Sequence, residues 1–441
     1  MKFSDNVAKV ISALNSAGFE AYAVGGCVRD SLLLKTPHDW DIATNAKPEQ
    51  IKSCFSGEKT INTGIRYGTV TVVMGGENIE VTSYRIDGGY SDGRRPDSVM
   101  FTDSLRDDLC RRDFTINALA YHPEHGIVDY FGGRDDINNR VIRCVGDAGT
   151  RFSEDALRIF RAVRFSAQLG FEIETKTAAA MEKLAPSLKK ISAERVFSEL
   201  CKTLTGDGAA SAVSRNTRVI SEVIPEITPM IGFEQHSKYH RLDVFSHTVK
   251  ALENSPGDLT VRLAVLFHDI GKPNTFTEDE NGEGHFYGHA AESARITEER
   301  LSRLRCPGDL KSRAVYLVKH HGDEIKPERA AVKRVLNKMG EDTLRQLLAL
   351  KRADVSATAF DVKGITLLQA IESILDKVLA EGEAFSLNRL AVNGQDLISI
   401  GFQPGKKLGA VLDILLDGVI GGSLENERDL LLREAKKHRD C

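Results

Sequence analysis

The sequence predicts an α+β protein in which a small mixed head precedes a long, all-helical remainder. Runs of strand type (Ala21–Val24, Asp39–Ile42, Thr69–Met74 and Ile79–Tyr84) are confined to the first part of the chain. Farther on, apolar residues recur at i, i+3 and i+4 through Phe152–Leu169, Thr177–Leu188 and Glu194–Leu204, the spacing of helices that bury one face. A length of 441 residues calls for about three domains. Pro225, Pro229 and Gly232 punctuate the helical part, and a last section has Gly/Pro punctuation of its own. The expected segments are 1–139, 140–225, 226–365 and 366–441.

Composition narrows the class. With 41% apolar and 28% charged residues, the chain is neither disordered nor a small scaffold that needs disulfides. A net charge of −4 argues against a uniformly basic nucleic-acid coat and leaves room for a local basic face. The seven cysteines contain no C-x-x-C pair, so zinc-ribbon and thioredoxin-like readings fail on spacing and free thiols are expected. The first twenty residues read as an amphipathic helix without the apolar core of a signal peptide. The longest apolar runs, such as Leu263–Phe267 and Ile414–Leu416, are far too short to span a membrane. A cytoplasmic protein is expected.

Residues 3–17 read as a helix that Gly18 stops. After Ala21–Val24, Gly25-Gly26 lead into a helix over Val28–Leu34 that carries Arg29. Such a turn lets backbone N–H groups face an anion, although the same pair also serves as a plain packing turn. Asp39 and Asp41 fall on one face of a strand, where carboxylates repel unless a cation neutralises them. They are either a solvated strand end or the ligands of two Mg²⁺ ions about 4 Å apart. Gly75–Asn78 marks a hairpin, and Glu80 beyond it is a third carboxylate or an exposed strand residue. Residues 85–98 read as a loop, and the pattern turns helical from Leu105. Arg111 and Arg112 suit phosphate oxygens, and a helical turn puts Asp113 and Asn117 on one face.

The ordered runs GGCVRD (25–30), DWD (39–41), RRDFTINAL (111–119), EDALRIFRAVRF (154–165) and AERVFSEL (193–200) resemble the class II tRNA nucleotidyltransferase and bacterial poly(A) polymerase family. The resemblance implies a polymerase-β-like nucleotidyltransferase head and a helical neck. It makes Asp39 and Asp41 the holders of the catalytic metals. It puts Arg111, Arg112, Asp113 and Asn117 against the sugar and triphosphate of the incoming nucleotide. DYFGGRDD (129–136) resembles the hinge between head and neck.

Glu154, Asp155 and Arg158 follow in what reads as one helix. A carboxylate accepts from an exocyclic amino group, and a guanidinium donates to a ring acceptor. Cytosine and adenine offer that combination, whereas uracil and guanine invert it, so such a pair selects C and A. Taken alone, Asp155 and Arg158 are equally an i, i+3 ion pair worth a few tenths of a kcal/mol. The resemblance gives them the base-reading role. Arg158, Arg161 and Arg164 recur every three residues, for phosphate or for solvation of the neck, and Glu194, Arg195 and Glu199 support the neck helices.

Farther on come His247, His268-Asp269, His289, His320-His321 and Asp354. A His-Asp doublet with a distant His and a distant Asp can hold a divalent ion, and extra histidines a second. The order resembles an HD-domain phosphohydrolase. The resemblance assigns His247, His268, Asp269 and Asp354 to a central site for Ni²⁺, Co²⁺ or Mn²⁺. It assigns His289 and His320 or His321 to a second metal, and Lys272 to phosphate. A degenerate HD fold used only as body is the alternative. Residues 391–434 resemble the tail of CCA-adding enzymes, which touches the tRNA elbow, and Arg85–Pro96 resembles their flexible loop. The expectation is CCA addition to tRNA from CTP and ATP with an added hydrolase. Poly(A) polymerase and an RNA-end-repair hydrolase are the rivals.

Overall fold

The computed structural model describes residues 4–37, 39–62, 64–89, 98–236, 241–358 and 362–439. The chain forms two compact units, Met1–Pro225 and Glu226–Cys441.

The first unit is built on a seven-stranded sheet. Its strands are β1 (Ala21–Val24), β2 (Asp41–Thr44), β3 (Lys59–Ile61), β4 (Thr69–Met74), β5 (Glu77–Ser83), β6 (Leu119–His122) and β7 (Gly126–Asp129). They run in the order β3-β4-β5-β2-β1-β6-β7, and only β2 and β5 pair in parallel. The β4–β5 hairpin turns on Gly75-Gly76, whose φ values of 57° and 83° suit a tight two-residue turn. Glu77 and Asn78, expected in the turn, therefore enter the strand, and Met74 pairs with Glu77. Helix Asp5–Ser16 covers the sheet's start; Ser4 accepts from the Val7 N–H at its N-cap, and Val7, Val10, Ile11 and Leu14 are buried. Residues 85–98, read as a loop, begin with a short strand, Arg85–Asp87, which pairs with Val99–Phe101 just beyond them. The rest of the loop resemblance, residues 90–96, lies outside the described residues.

Two expected helices differ. The segment after Arg112 is not an α-helix: Thr115–Asn117 is a single 3₁₀ turn that leads into β6. The run Phe152–Leu169 breaks into Ala148–Glu154 and Leu157–Leu169. Asp155 is extended at the break, and its Oδ1 accepts from the Leu157 N–H at 3.0 Å. Leu157–Leu169 packs on Ala193–Leu204, and Phe160, Val163, Phe197 and Leu200 of these helices are buried.

In the second unit the buried helix Leu259–Phe267 lies among Val244–Glu253, Gly308–His320 and Glu341–Ala357, with His289–Arg303 against Gly308–His320. A separate apolar cluster, including Val392, Leu397, Phe402, Leu415 and Leu431, holds the last three helices together.

Gly132 and Gly133, side by side in the run 129–136, make a test of this packing. Gly132 has φ 75° and open space around its α-carbon, whereas a Cβ on Gly133 would sit 2.2 Å from the Thr115 carbonyl oxygen. Gly132→Ala should cost about 1–2 kcal/mol of left-handed strain. Gly133→Ala adds an overpacking clash that typically costs about 1–3 kcal/mol and occasionally more. It must move backbone and should cost the more of the two. Denaturant midpoints of the two variants check this; equal midpoints would contradict the close approach of Gly133 to Thr115.

Candidate active site

The first unit opens a cleft of about 640 Å³. Gly25, Gly26, Arg29, Asp39, Asp41, Arg112, Asp113, Asn117, Arg161 and Arg164 line it. Gly25 ends β1 with φ 81° and donates its N–H to the Leu119 carbonyl at 3.0 Å. A Cβ there would lie 2.6 Å from Arg112 Nη1, so only glycine lets that guanidinium rest on the turn. Helix α1 (Gly26–Leu32) starts at this turn and carries Arg29 into the cleft.

The aspartates reach the cleft by a different route from the one their spacing suggests. Only Asp41 is in strand β2; Asp39 sits in the bend before it, so the two do not share a strand face. The turn brings both to the cleft wall. Glu80 is the register partner of Asp41 on parallel β5, beside the cleft lining. Among the described residues these three carboxylates do not form a group of donor atoms within 4.8 Å. Asp41 stays open to solvent at the mouth, but the dense protein around it raises its pKa, and Asp39 adds to this while Arg112 opposes it. Desolvation, then Asp41 and Asp39, raise Glu80 likewise. A set of carboxylates that hinder each other's ionisation is the donor chemistry that a hard divalent cation relieves.

Asp113 is buried and accepts from every side. Arg161 donates to Oδ2 through Nε at 2.8 Å and Nη2 at 2.6 Å; Asn117 Nδ2 donates to Oδ1 at 3.0 Å. Arg29 Nη1 donates in turn to Asn117 Oδ1 at 2.6 Å. Burial alone would push the Asp113 carboxyl up, but the charge of Arg161 and these hydrogen bonds hold it well below the usual range. The Asp113–Asn117 contact predicted for a helical turn is made, through the 3₁₀ turn. Arg29, Arg161 and Arg164 lie 5.1, 5.4 and 4.2 Å from the Phe165 ring. Burial and then the charge of Arg161 push Arg164 down to about 10, partly offset by Glu199 at 3.2 Å. Guanidinia crowded this way are a seat for a polyanion.

A smaller cleft of about 230 Å³ shares Arg112, Asp113 and Arg161 and adds Arg111, Asp155, Arg158 and Arg195. Asp155 opens onto it from the extended break between α2 (Ala148–Glu154) and α3 (Leu157–Leu169), and Arg158 from α3, so the two do not share one helix. They do not form the i, i+3 pair. Asp155 Oδ2 meets Arg195 Nη2 at 3.2 Å, and Arg158 Nη1 donates to Glu154 Oε2 at 2.6 Å. Arg158 Nη2 also donates to the Arg111 carbonyl at 3.0 Å. Phe165, Lys202 and Gln168, also in the larger cleft, escaped the sequence reading. Phe165 carried a signal, being four residues after Arg161 on one helix face. Arg195, read as support, lines the smaller cleft.

In the second unit the separated histidines and aspartates converge. His247 comes from α4 (Val244–Glu253), and His268-Asp269 directly follow α5 (Leu259–Phe267). His289 begins α6 (His289–Arg303), His321 follows α7 (Gly308–His320), and Asp354 lies on α8 (Glu341–Ala357). Two groups have donor atoms within 4.8 Å: His247, His268 and Asp354, and Asp269, His289 and His321. His268, His289 and His321 give their Nδ1–H to the carbonyls of Val265, Phe286 and Val318 at 2.7, 2.8 and 2.7 Å. This fixes the tautomer and turns each Nε2 inward. His289 and His321 face each other Nε2 to Nε2 at 3.1 Å, which two neutral rings so held tolerate only with a shared cation or proton. Burial lowers both, His321 to about 4, which disfavours the proton. His268 Nε2 is buried without a well-directed hydrogen bond. These residues fit divalent metal. His320 does not belong: it points to Asp323 at 2.7 Å and packs on Tyr316, because the helix end rotates it away from His321. Lys272 reaches Asp269 at 2.8 Å and Gln235 at 2.9 Å.

Comparison with known proteins matches the family models "Poly A polymerase head domain" to residues 21–143, "Probable RNA and SrmB- binding site of polymerase A" to 170–231, and "tRNA nucleotidyltransferase domain 2 putative" to 295–435. A CCA-adding enzyme of Lactobacillus delbrueckii subsp. bulgaricus is 36% identical over 95% of this chain and 94% of its own. One from Enterococcus faecalis is 35% identical over 98% and 95%. The crystal structure of the Bacillus stearothermophilus CCA-adding enzyme in complex with CTP superposes with a TM-score of 0.70 at 29% identity, covering 99% of this chain and 98% of that one. No helix among the described residues is long and apolar enough to cross a membrane. With a mixed nucleotidyltransferase head, a helical neck and body, and relatives matched over nearly the whole length, the chain belongs to the family of CCA-adding enzymes.

Proposed function

We propose that the protein adds C, C and A in turn to the 3′ end of tRNA, consuming CTP and ATP and releasing pyrophosphate. The observation that carries this is the shared wall of the two clefts. Arg112, Asp113 and Arg161 border both the carboxylate side, with Asp39 and Asp41, and the base side, with Asp155 and Arg158. One nucleotide can therefore lie with its phosphates at the arginines and its base at Asp155.

Asp39 and Asp41, with Glu80 as neighbour, would hold Mg²⁺, which when bound would supply activation of the attacking hydroxyl and charge neutralisation at the leaving phosphate. Arg111 and Arg112 grip the triphosphate, and Asp113 and Asn117 border the sugar. Asp155 accepts the exocyclic amino proton of C or A, and Arg158 donates to the adjoining ring acceptor. In the free protein these two side chains are held by Arg195 and Glu154, partners that a base would have to share or displace. Relatives of nearly the same length named CCA-adding enzymes, and a neighbour in complex with CTP, favour this over poly(A) synthesis. The head, neck, HD body and tail are assigned to 1–139, 140–225, 226–365 and 366–441, with the tail toward the tRNA elbow.

Incubation with tRNA lacking its CCA end should give growth that stops at three nucleotides with CTP and ATP together. A long A tail with ATP alone would favour the polymerase instead. Asp39→Ala and Asp41→Ala should abolish addition.

A second activity is favoured by the tautomer-fixed histidines. We propose that His247, His268, Asp269, Asp354, His289 and His321 bind Ni²⁺, Co²⁺ or Mn²⁺ for hydrolysis of phosphoesters such as 2′,3′-cyclic phosphates, with Lys272 near the phosphate. Asp269→Ala should eliminate this hydrolysis with each metal and leave nucleotide addition in place. Absence of hydrolysis by the intact protein with all three metals would make the domain a scaffold.

A further inference from the structure

Asp108 belongs to none of the runs that carry the family resemblance, yet it sits at the centre of the arginines beside the clefts. It lies on helix Leu105–Cys110 and is 1% exposed. Its Oδ1 accepts from Arg111 Nε at 3.0 Å and Nη2 at 2.8 Å, and from the Arg85 backbone N–H at 3.3 Å. Its Oδ2 faces Arg112 Nη2 at 3.7 Å. Arg111 Nη1 is 3.7 Å from Asp87, which pairs with Arg85 at 2.9 Å at the base of the 85–98 segment.

Burying this many charges together costs stability that an apolar cluster would not. Two atoms make the arrangement still less economical as a mere brace. Asp108 Oδ2 and Arg112 Nε are both buried with no hydrogen-bond partner. A structural ion pair would close that gap. Here the carboxylate grips Arg111 tightly and leaves Arg112 at ion-pair distance, against the Gly25 turn.

We propose that Asp108 is a positioning residue for nucleotide binding: it fixes Arg111 as a rigid wall and holds Arg112 electrostatically, free to turn toward a triphosphate. This rests on reading the clefts as the nucleotide site. Asp108 touches no substrate and acts only through the two guanidinia.

The test uses the full chain, tRNA lacking CCA, and CTP or ATP as the varied substrate. Asp108→Asn keeps the shape and removes the charge. It should raise KM for both nucleotides about 10-fold, the scale of a lost charged hydrogen bond, with kcat changed far less. KM for tRNA should stay constant. Asp108→Glu keeps the charge but displaces it, and should give a smaller rise; it also serves if Asp108→Asn does not fold. Arg112→Ala separates this proposal from the reading it rests on. If Arg112→Ala leaves the nucleotide KM unchanged, the cleft reading fails. If Arg112→Ala raises it but the folded Asp108 variants lower kcat alone, or change nothing, Asp108 is a structural brace and the proposal is overturned.

Discussion

The first unit depends on one buried carboxylate. Asp113 takes the fork of Arg161 from α3 on one oxygen and the Asn117 amide on the other, and Asn117 passes the constraint to Arg29 on α1. Three segments far apart in sequence are thereby fixed around one cleft. Removing one member of a buried pair of this kind typically costs about 3–5 kcal/mol, because the other charge stays behind. Its pKa is held below that of the unfolded chain. Its stabilisation is therefore complete above the ordinary carboxylate range, about pH 4, and is lost only as pH falls below it.

From this anchor the cleft acquires its sign. Arg29, Arg161 and Arg164 surround Phe165 within 5.4 Å, each paired with a carboxylate of its own, Asp30, Asp113 and Glu199. The carboxylates of Asp39 and Asp41 line the same cleft, and desolvation together with the neighbouring carboxylates raises Asp41 and Glu80. On the proposed reading, a nucleoside triphosphate with its divalent cation would bring to this cleft one charge of each sign, the anion toward the guanidinia and the cation toward the carboxylates.

Much of this was legible beforehand because it rests on local chemistry. Gly25-Gly26 between strand and helix, and the strand-rich head before a helical remainder, follow from propensity and periodicity. What escaped rests on tertiary contacts. The helical pattern runs unbroken through Asp155, since Asp, Ala and Leu all tolerate a helix. Asp155 instead caps Leu157 and pairs with Arg195, forty residues on. Asp39 looked like a strand residue because alternation cannot mark where pairing begins. Between His320 and His321 only the rotation of a helix end decides, and adjacent identical residues give no periodic signal. Asp108 was hidden because a charged residue in a charged helix reads as solvated until its burial is known.

The central claim is that side chains, not a nucleic-acid template, choose the base. It is tested most directly by kcat/KM for CTP over UTP on tRNA lacking CCA, in the intact protein and in Asp155→Ala and Arg158→Ala. Losing either one leaves a polar group of the bound base without its partner, at a cost of about 1–3 kcal/mol for the correct base. The account predicts that the ratio falls roughly 5- to 150-fold in both variants while slower metal-dependent addition persists. An unchanged ratio in both would contradict it and place base selection elsewhere.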